Sequence, residues 1–146
     1  MKLIKTVAGY VALVLLLNCA HTGIPEGGPA DESPPDIVHT VPDTGAVNVS
    51  VKVKPVIFFS EWISPLSIKN NILVSPAFPE MNFLVRGKKI IIKPEASLKE
   101  NTTYIITLSD RISDLHQVKM DKGYSYAFST GQKVDRGTIK GRLIFN

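Results

Sequence analysis

Few residues of this 146-residue chain have a type and spacing that could support chemistry. The first candidates are three aspartates, Asp110, Asp114 and Asp121, which share one stretch rich in turn-forming residues. Carboxylate oxygens in a single loop can bind Ca²⁺, which takes about six to eight oxygen ligands. Their spacing matches no known calcium loop, so we interpret them as solvated turn carboxylates and predict no metal site and no cofactor.

The motifs of the common enzyme classes are absent from the sequence. No serine lies in a Gly-x-Ser-x-Gly turn, and no phosphate-binding loop, dinucleotide fingerprint or His-Glu-x-x-His pair occurs. A single cysteine excludes an internal disulfide, and three scattered histidines give no Cys/His cluster of the zinc-finger kind. We therefore predict that the chain is not an enzyme.

The charge balance argues against nucleic-acid binding. The net charge is +4 at pH 7, and Lys2 and Lys5 lie in a segment that we expect to be removed. The longest run of basic residues is Lys88-Lys89, which is too short for the positive surface that binds phosphate backbones. With 44% hydrophobic and 21% charged residues, the chain has the composition of a folded domain.

The N-terminus has the pattern of a secretory signal peptide. Lys2 and Lys5 precede an uncharged, mostly apolar stretch at residues 6–17, and the two parts form a positive region and a short hydrophobic region. This stretch is too short for a bilayer core, which needs about 20 helical residues. We therefore favour a signal peptide at residues 1–18 over a permanent transmembrane helix.

The only cysteine, Cys19, comes directly after this apolar stretch. Together with Leu16, Leu17 and Asn18 it resembles the lipobox of bacterial lipoproteins, in which the cysteine is acylated and becomes the mature N-terminus. Asn18 stands where a small residue is usual. The resemblance implies a membrane anchor at Cys19. Ala20 stands where the sorting rule of enteric bacteria has Asp for retention at the inner membrane, so by analogy with that rule we expect an outer-membrane location. The alternative is an incidental free cysteine.

Residues 19–33 are predicted to form a flexible, lipid-anchored linker. Seven of the fourteen residues at 23–36 are glycine or proline, and the four charged residues among them are all acidic. This composition leaves no apolar face to bury, so we expect an extended, solvated spacer.

Short β-rich runs separated by turn residues follow from residue 37 onward. They predict an all-β domain, an antiparallel immunoglobulin-like β-sandwich of about seven strands. Gly87 supplies the positive φ of a tight hairpin, and Tyr104 is expected to anchor a corner through its hydroxyl. The predicted strands are 36–40, 54–60, 71–74, 81–85, 88–93, 103–108 and 124–129.

The core is predicted to be built from aromatic and aliphatic side chains. The sequence leaves open which of Phe58 and Phe59 faces inward. We expect Trp62 in the core or at its rim, and the alternative is an exposed residue that contacts a ligand. The aromatic residues assigned to the core are Phe58, Trp62, Phe83, Tyr104 and Phe128.

Five segments carry a family resemblance: residues 34–38, 41–49, 57–61, 98–104 and 126–131. They include the motifs Pro42-Asp43-Thr44-Gly45 and Ser129-Thr130-Gly131, and together they resemble the SbsA-type bacterial Ig-like domain of surface-layer proteins. The resemblance places this domain at residues 34–131 and implies a structural or adhesive role without catalytic residues. The loop at 114–117 lacks the family's Gly-Asn pair. Gly27-Gly28-Pro29 resembles lipoproteins of the Bacteroidetes group.

Residues 137–145 have the pattern of a further strand beyond this domain. We expect residues 132–146 to begin a second domain, and the alternative is packing on an edge of the sandwich.

The predicted function is a non-enzymatic, lipid-anchored envelope protein whose Ig-like domain is a spacer or interaction module for an envelope partner. One alternative is a surface protein that binds glycan or another exported polymer, with Trp62 as a contact. Another is the N-terminal part of a larger envelope protein.

Overall fold

Seven β-strands and one 3-10 turn make up the part of the chain that the computed structural model describes, residues 28–77 and 80–137. No helix in these ranges is long and apolar enough to cross a membrane. The predicted signal peptide, the residues around Cys19 and the strand predicted at 137–145, except its first residue, lie outside them. The strands are β1 (Ile37–Val41), β2 (Val56–Phe59), β3 (Ile72–Ser75), β4 (Met81–Arg86), β5 (Lys89–Pro94), β6 (Thr103–Leu108) and β7 (Tyr124–Ser129), and the 3-10 turn is Pro65–Ser67.

The strands form two antiparallel sheets around one hydrophobic core. One sheet has the strand order β1-β2-β5-β4, and the other has the order β3-β6-β7. Each strand overlaps one predicted run, and the bounds differ by at most two residues. The predicted all-β, antiparallel Ig-like sandwich is therefore confirmed.

Alternation of side chains along the strands builds the core. In β6, Tyr104, Ile106 and Leu108 are buried while Ile105 and Thr107 are exposed, because successive side chains point to opposite faces of a strand. Each fully buried aliphatic side chain contributes about 1.5–3 kcal/mol relative to leaving it in water. The buried apolar residues are Ile57, Phe59, Ile63, Ile68, Val74, Ile90, Ile92, Leu98, Tyr104, Ile106, Leu108, Ile112, Met120, Tyr126 and Phe128.

Phe59, rather than Phe58, is the core aromatic residue of β2. Phe59 is 3% exposed, whereas Phe58 is half-buried on the other face of the strand. The Phe58 ring stacks on His39 of β1 with centroids 4.1 Å apart, and Lys89 Nζ lies 5.9 Å from the Phe58 centroid. Phe58 therefore packs between neighbouring side chains on the outside of the sheet.

Trp62 lies on the surface, as in the exposed alternative, and not in the core or at its rim, where we expected it. Its side chain is 59% exposed, whereas the next residue, Ile63, is 2% exposed. Ile63 forms an antiparallel bridge with Asp114 and takes the inward-facing place. Because neighbouring residues of an extended segment point to opposite sides, Trp62 faces outward. Phe83, also assigned to the core, is half-buried and packs against it.

The hairpin predicted around Gly87 joins β4 to β5. Arg86 pairs with Lys89, so that Gly87 and Lys88 form a two-residue turn. Gly87 has a φ of 59°, a left-handed conformation that a side chain would strain. A glycine with positive φ at the first central position is typical of a type II′ turn.

The predicted tyrosine corner is confirmed. The Tyr104 hydroxyl accepts a hydrogen bond from the Lys99 N–H at 2.9 Å. Thr130 Oγ1 accepts a hydrogen bond from the Thr102 N–H at 3.0 Å and donates one to the Lys99 carbonyl at 2.7 Å. Two of the segments that carry the family resemblance are therefore joined directly.

Residues 45–49 run beside β7. The Val49 N–H donates to the Ser129 carbonyl at 3.1 Å, and the Ser129 N–H donates to the Ala46 carbonyl at 2.8 Å. These bonds occupy backbone groups that an open sheet edge would leave unpaired.

The chain enters and leaves the sandwich at opposite ends. Asp36, just before β1, accepts a hydrogen bond from the Ser60 N–H (2.9 Å) beside the β4–β5 turn, which we call the hairpin end. Gly131, just after β7, accepts one from the Asn48 N–H (2.8 Å) where β6 begins, which we call the opposite end. A six-residue strand such as β5 spans about 20 Å between them.

Candidate functional site

Backbone hydrogen bonds join the loops at the hairpin end into one surface. The Ile63 N–H donates to the Gly87 carbonyl at 3.1 Å, and the Ser64 N–H donates to the Ser113 carbonyl at 2.9 Å. Together with the bridge between Ile63 and Asp114, these bonds connect the segment after β2 to the hairpin turn and to the loop between β6 and β7.

The loop between β6 and β7 folds back on itself as a small hairpin. The Met120 N–H donates to the Ile112 carbonyl at 2.9 Å, and the Asp114 N–H donates to the Val118 carbonyl at 3.0 Å. Buried Ile112 and Met120 hold its base in the core. At its tip Gln117 has a φ of 70°, a conformation more common for glycine or asparagine. Gln117 thus takes the left-handed place in the loop that lacks the family's Gly-Asn pair.

Asp114 is a carboxylate inside this loop, with a side chain that is 3% exposed. Its Oδ1 accepts a hydrogen bond from the Val118 N–H at 2.8 Å. Its Oδ2 is buried and has no hydrogen-bond partner within the described residues. His116 Nδ1 lies 3.5 Å from Oδ2. A buried polar oxygen without a hydrogen bond is costly, so this oxygen is open to a further partner.

Asp31 approaches the same imidazole from the N-terminal segment. Its Oδ2 lies 3.3 Å from His116 Nδ1, and its Oδ1 accepts a hydrogen bond from the Ser33 N–H at 3.0 Å. The hydrogen bond from the Ser33 backbone lowers the pKa of Asp31 below its usual value, although desolvation opposes this shift. Asp31 is therefore ionised at neutral pH.

Asp31, Asp114 and His116 together form a set of potential metal ligands. One ligand atom from each lies within 4.8 Å of the other two. This set differs from the aspartates singled out in the sequence, because Asp110 and Asp121 are exposed and do not belong to it. The local signal for it was the Asp114-x-His116 pair, whereas Asp31 lies within the predicted linker and no spacing relates it to this loop.

Trp62 presents a flat indole surface at the hairpin end. Three of its ring atoms lie 3.9 Å from the position that a Cβ would take on Gly87. One face of the ring therefore covers the glycine, and 59% of the residue stays exposed. Leu115 is 56% exposed and lies one residue beyond the bridge on the facing loop.

The residues predicted to carry the lipid anchor, Leu16, Leu17, Asn18 and Cys19, lie outside the described residues. Their role stays a prediction.

Two antiparallel sheets, seven strands and a tyrosine corner define residues 37–129 as an immunoglobulin-like β-sandwich. The sequence matches the bacterial Ig-like domain family over residues 31–130, more than half of the chain. The chain belongs to this family. Domains of the family are typically non-catalytic and are usually extracellular or associated with the cell envelope.

No curated protein matches the chain. Among solved structures it is similar to an L,D-transpeptidase from Mycobacterium smegmatis, with 17% sequence identity and a TM-score of 0.49. The similarity covers 68% of this chain and 41% of that structure. A similarity of this size carries no statement about a shared activity.

Proposed function

We propose that this chain is a lipid-anchored, non-enzymatic protein of the bacterial outer membrane, and that its Ig-like domain is a spacer. Cys19 carries the anchor, and the linker joins it to the hairpin end of the sandwich. The resemblances to SbsA-type domains and to Bacteroidetes lipoproteins support this assignment. The domain then holds the chain that follows residue 131 farther from the membrane, where an envelope partner can reach it.

The observation that carries the proposal is the separation of the two points at which the chain enters and leaves the sandwich. Asp36 lies at the hairpin end and Gly131 at the opposite end. The strands therefore add about 20 Å to the distance that the linker can span. Residues 19–30, the part of the linker before the Asp31 that contacts His116, reach at most about 40–45 Å when extended. A domain that the chain entered and left at the same end would add far less to the distance from the membrane.

The anchor is tested by intact mass and membrane fractionation of the full chain expressed in a Gram-negative bacterial host. The expected product lacks residues 1–18, carries acyl chains and is found in the membrane fraction. Cys19→Ala is expected to keep its leader and to carry no acyl chain, because the acylated residue is gone. The mass is the deciding readout, since the retained apolar leader can itself hold this variant at the membrane.

Asn18→Gly is the matched control, because it changes the neighbouring position and keeps the cysteine. It is expected to be processed at least as completely as the original chain. An original chain that keeps its leader and carries no acyl chain, as Cys19→Ala does, would contradict the lipid anchor and make the apolar N-terminal stretch the membrane attachment.

A second candidate function is glycan binding through Trp62, which the exposure of its indole favours. An aromatic ring fixed on one face and open on the other can stack on the apolar face of a sugar ring. Trp62 is the only tryptophan of the chain, so intrinsic fluorescence reports on this site alone.

The test is a fluorescence titration of the full chain with N-acetylglucosamine oligosaccharides and with dextran oligosaccharides. Saturable change in Trp62 emission would support glycan binding, and calorimetry with Trp62→Ala should then show the binding lost. Leu73→Ser, at a site on the other sheet that is 65% exposed, is the control and should bind normally. Unchanged emission with both sugars would contradict glycan binding and leave the spacer role.

A further inference from the structure

The environment of Asp114 points to a positive charge that the described protein groups do not fully supply. Its Oδ2 is buried without a hydrogen-bond partner, although the rest of the carboxylate is held by the Val118 N–H. Within the described ranges, no lysine or arginine lies within ion-pair distance of Asp114. The orphan oxygen faces His116 Nδ1, which Asp31 approaches from another direction.

Both carboxylates are held in the same way. Each has one oxygen bonded to a backbone N–H, Ser33 for Asp31 and Val118 for Asp114, while the other oxygen faces the imidazole. Such supporting bonds orient the ligands around a metal ion. One ligand atom from each of the three residues lies within 4.8 Å of the other two.

Two of the three distances between ligand atoms match those around a small metal ion, and all three ligand atoms lie within 4.8 Å of one another. Tetrahedral zinc, with bonds of about 2.0–2.1 Å, places neighbouring ligand atoms about 3.3 Å apart. The Nδ1 atom of His116 lies 3.3 Å from Asp31 Oδ2 and 3.5 Å from Asp114 Oδ2. Three protein ligands plus a water is a common zinc arrangement.

The donor atoms also select the kind of ion. Ca²⁺ and Mg²⁺ prefer sets made only of oxygens, whereas an imidazole nitrogen favours zinc and its neighbours in the first transition row. A metal ion takes carboxylate and imidazole ligands in their deprotonated forms, so two carboxylates and one imidazole bring it a charge of about −2, which a divalent ion balances. The charge and the donor atoms therefore both favour a divalent transition-metal ion.

We propose that Asp31, Asp114 and His116 bind a divalent transition-metal ion, with zinc as the ion of best fit. The ion joins the segment before β1 to the loop between β6 and β7, and so fixes the point at which the linker meets the sandwich. Pro35, which lies between Asp31 and β1, is already buried against the domain. The metal extends this attachment to residue 31.

The test uses the full chain in detergent, purified without a histidine tag and with Cys19→Ser in every sample, because a free thiol binds zinc. Calorimetry with Zn²⁺ is expected to show one ion per chain. At a hundredfold excess of Zn²⁺ over its Kd, the Tm should rise by about 5 °C or more, and a chelator should reverse the rise.

His116→Gln and Asp31→Asn are expected to weaken Zn²⁺ binding at least about tenfold. Both side chains are at least partly exposed, so these variants carry the test even where Asp114→Asn fails to fold. Asp121→Asn and His39→Gln remove the same chemical groups at exposed positions elsewhere and should bind Zn²⁺ as the original chain does.

Three results would overturn the proposal. The first is the absence of stoichiometric Zn²⁺ binding. The second is Zn²⁺ binding that His116→Gln and Asp31→Asn do not weaken. The third is a rise in Tm with Ca²⁺ that Zn²⁺ does not produce. None of these results bears on the anchor at Cys19, which the mass measurement tests separately.

Discussion

Replacing Tyr126 by phenylalanine is expected to stabilise the domain. The Tyr126 side chain is 2% exposed, and its ring lies between Tyr124 and Phe128 with centroids 6.0 and 6.4 Å away. Its hydroxyl is buried and has no hydrogen-bond partner in the part of the chain that the structure describes. Burial of an unpaired hydroxyl costs about 1–3 kcal/mol. Lost packing around the missing oxygen offsets part of the gain, so we expect about 1 kcal/mol of net stabilisation.

Tyr104→Phe is the matched control. This side chain is also 2% exposed, and its ring also contacts Phe128, with centroids 5.7 Å apart. Its hydroxyl, however, accepts the hydrogen bond of the Lys99 N–H. Loss of that bond should cost about 1 kcal/mol. Removal of the hydroxyl is therefore expected to stabilise the domain at Tyr126 and to destabilise it at Tyr104. The Tm values of the two variants should differ by about 10 °C.

Alkaline pH provides a second readout of the same hydroxyl. Burial raises the pKa of Tyr126 far above its ordinary value of 10.0, and the nearby Tyr124 adds to the shift. The Tyr126 phenol ionises at a lower pH in the unfolded chain than in the folded one. Its contribution to the free energy of unfolding is therefore complete below pH 10 and is lost as the pH rises above that value. The original chain should lose more unfolding free energy between about pH 8 and pH 11 than Tyr126→Phe does.

The assay is urea unfolding of the full chain, followed by circular dichroism, for the original protein and both variants. Equal destabilisation by Tyr126→Phe and Tyr104→Phe would refute the reasoning, because the Tyr126 hydroxyl would then have a partner. Equal alkaline losses in the original chain and Tyr126→Phe would show that this phenol ionises as readily in the folded state as in the unfolded one.

Two further substitutions test the packing of the sheets by the same unfolding measurement. Phe59→Ala should cost about 3–5 kcal/mol because it empties a core position, whereas Phe58→Ala should cost about 1 kcal/mol; similar losses would contradict the assigned faces of β2. Gly123→Ala should cost about 1–3 kcal/mol, because a Cβ there would lie 2.9 Å from the Leu108 carbonyl oxygen. A Cβ added at Gly137 would have no neighbouring atom within 4 Å, so Gly137→Ala should leave the stability unchanged.

The strands could be predicted because their signals are local. The alternation of Tyr104, Ile106 and Leu108 in β6 has the same period as the strand itself, and Gly87 marks its turn through its own backbone conformation. The hydroxyl bond of the corner was also predictable, because Lys99 is only five residues from Tyr104. Each of these features depends on residues close together in the chain.

The expectations failed for residues whose orientation depends on a contact with a residue far away in the sequence. Trp62 is hydrophobic enough for a core, but Ile63 takes the inward place through its bridge to Asp114. The choice between Phe58 and Phe59 depends on the register of β2 with its neighbours, which two identical adjacent residues do not reveal.

Of the three candidate metal ligands only Asp114 was singled out in the sequence, and Asp31 and His116 were missed for the same reason. Asp114 and His116 stand two residues apart, but their meaning depends on Asp31, which lies in a segment whose composition predicts a solvated linker. Only the folded chain shows that Asp114 is buried and that its Oδ2 lacks a hydrogen-bond partner.

Because the chain enters and leaves the sandwich at opposite ends, the fold also determines how the domain responds to a pulling force. A pull between Asp36 and Gly131 acts along β1 and β7, parallel to the strands and across the hydrogen bonds that hold them. Bonds loaded in shear must break together, whereas bonds at an unzipping edge break one after another. A domain tethered at one end and pulled at the other would therefore resist extension as a unit and would pass the force on to its anchor.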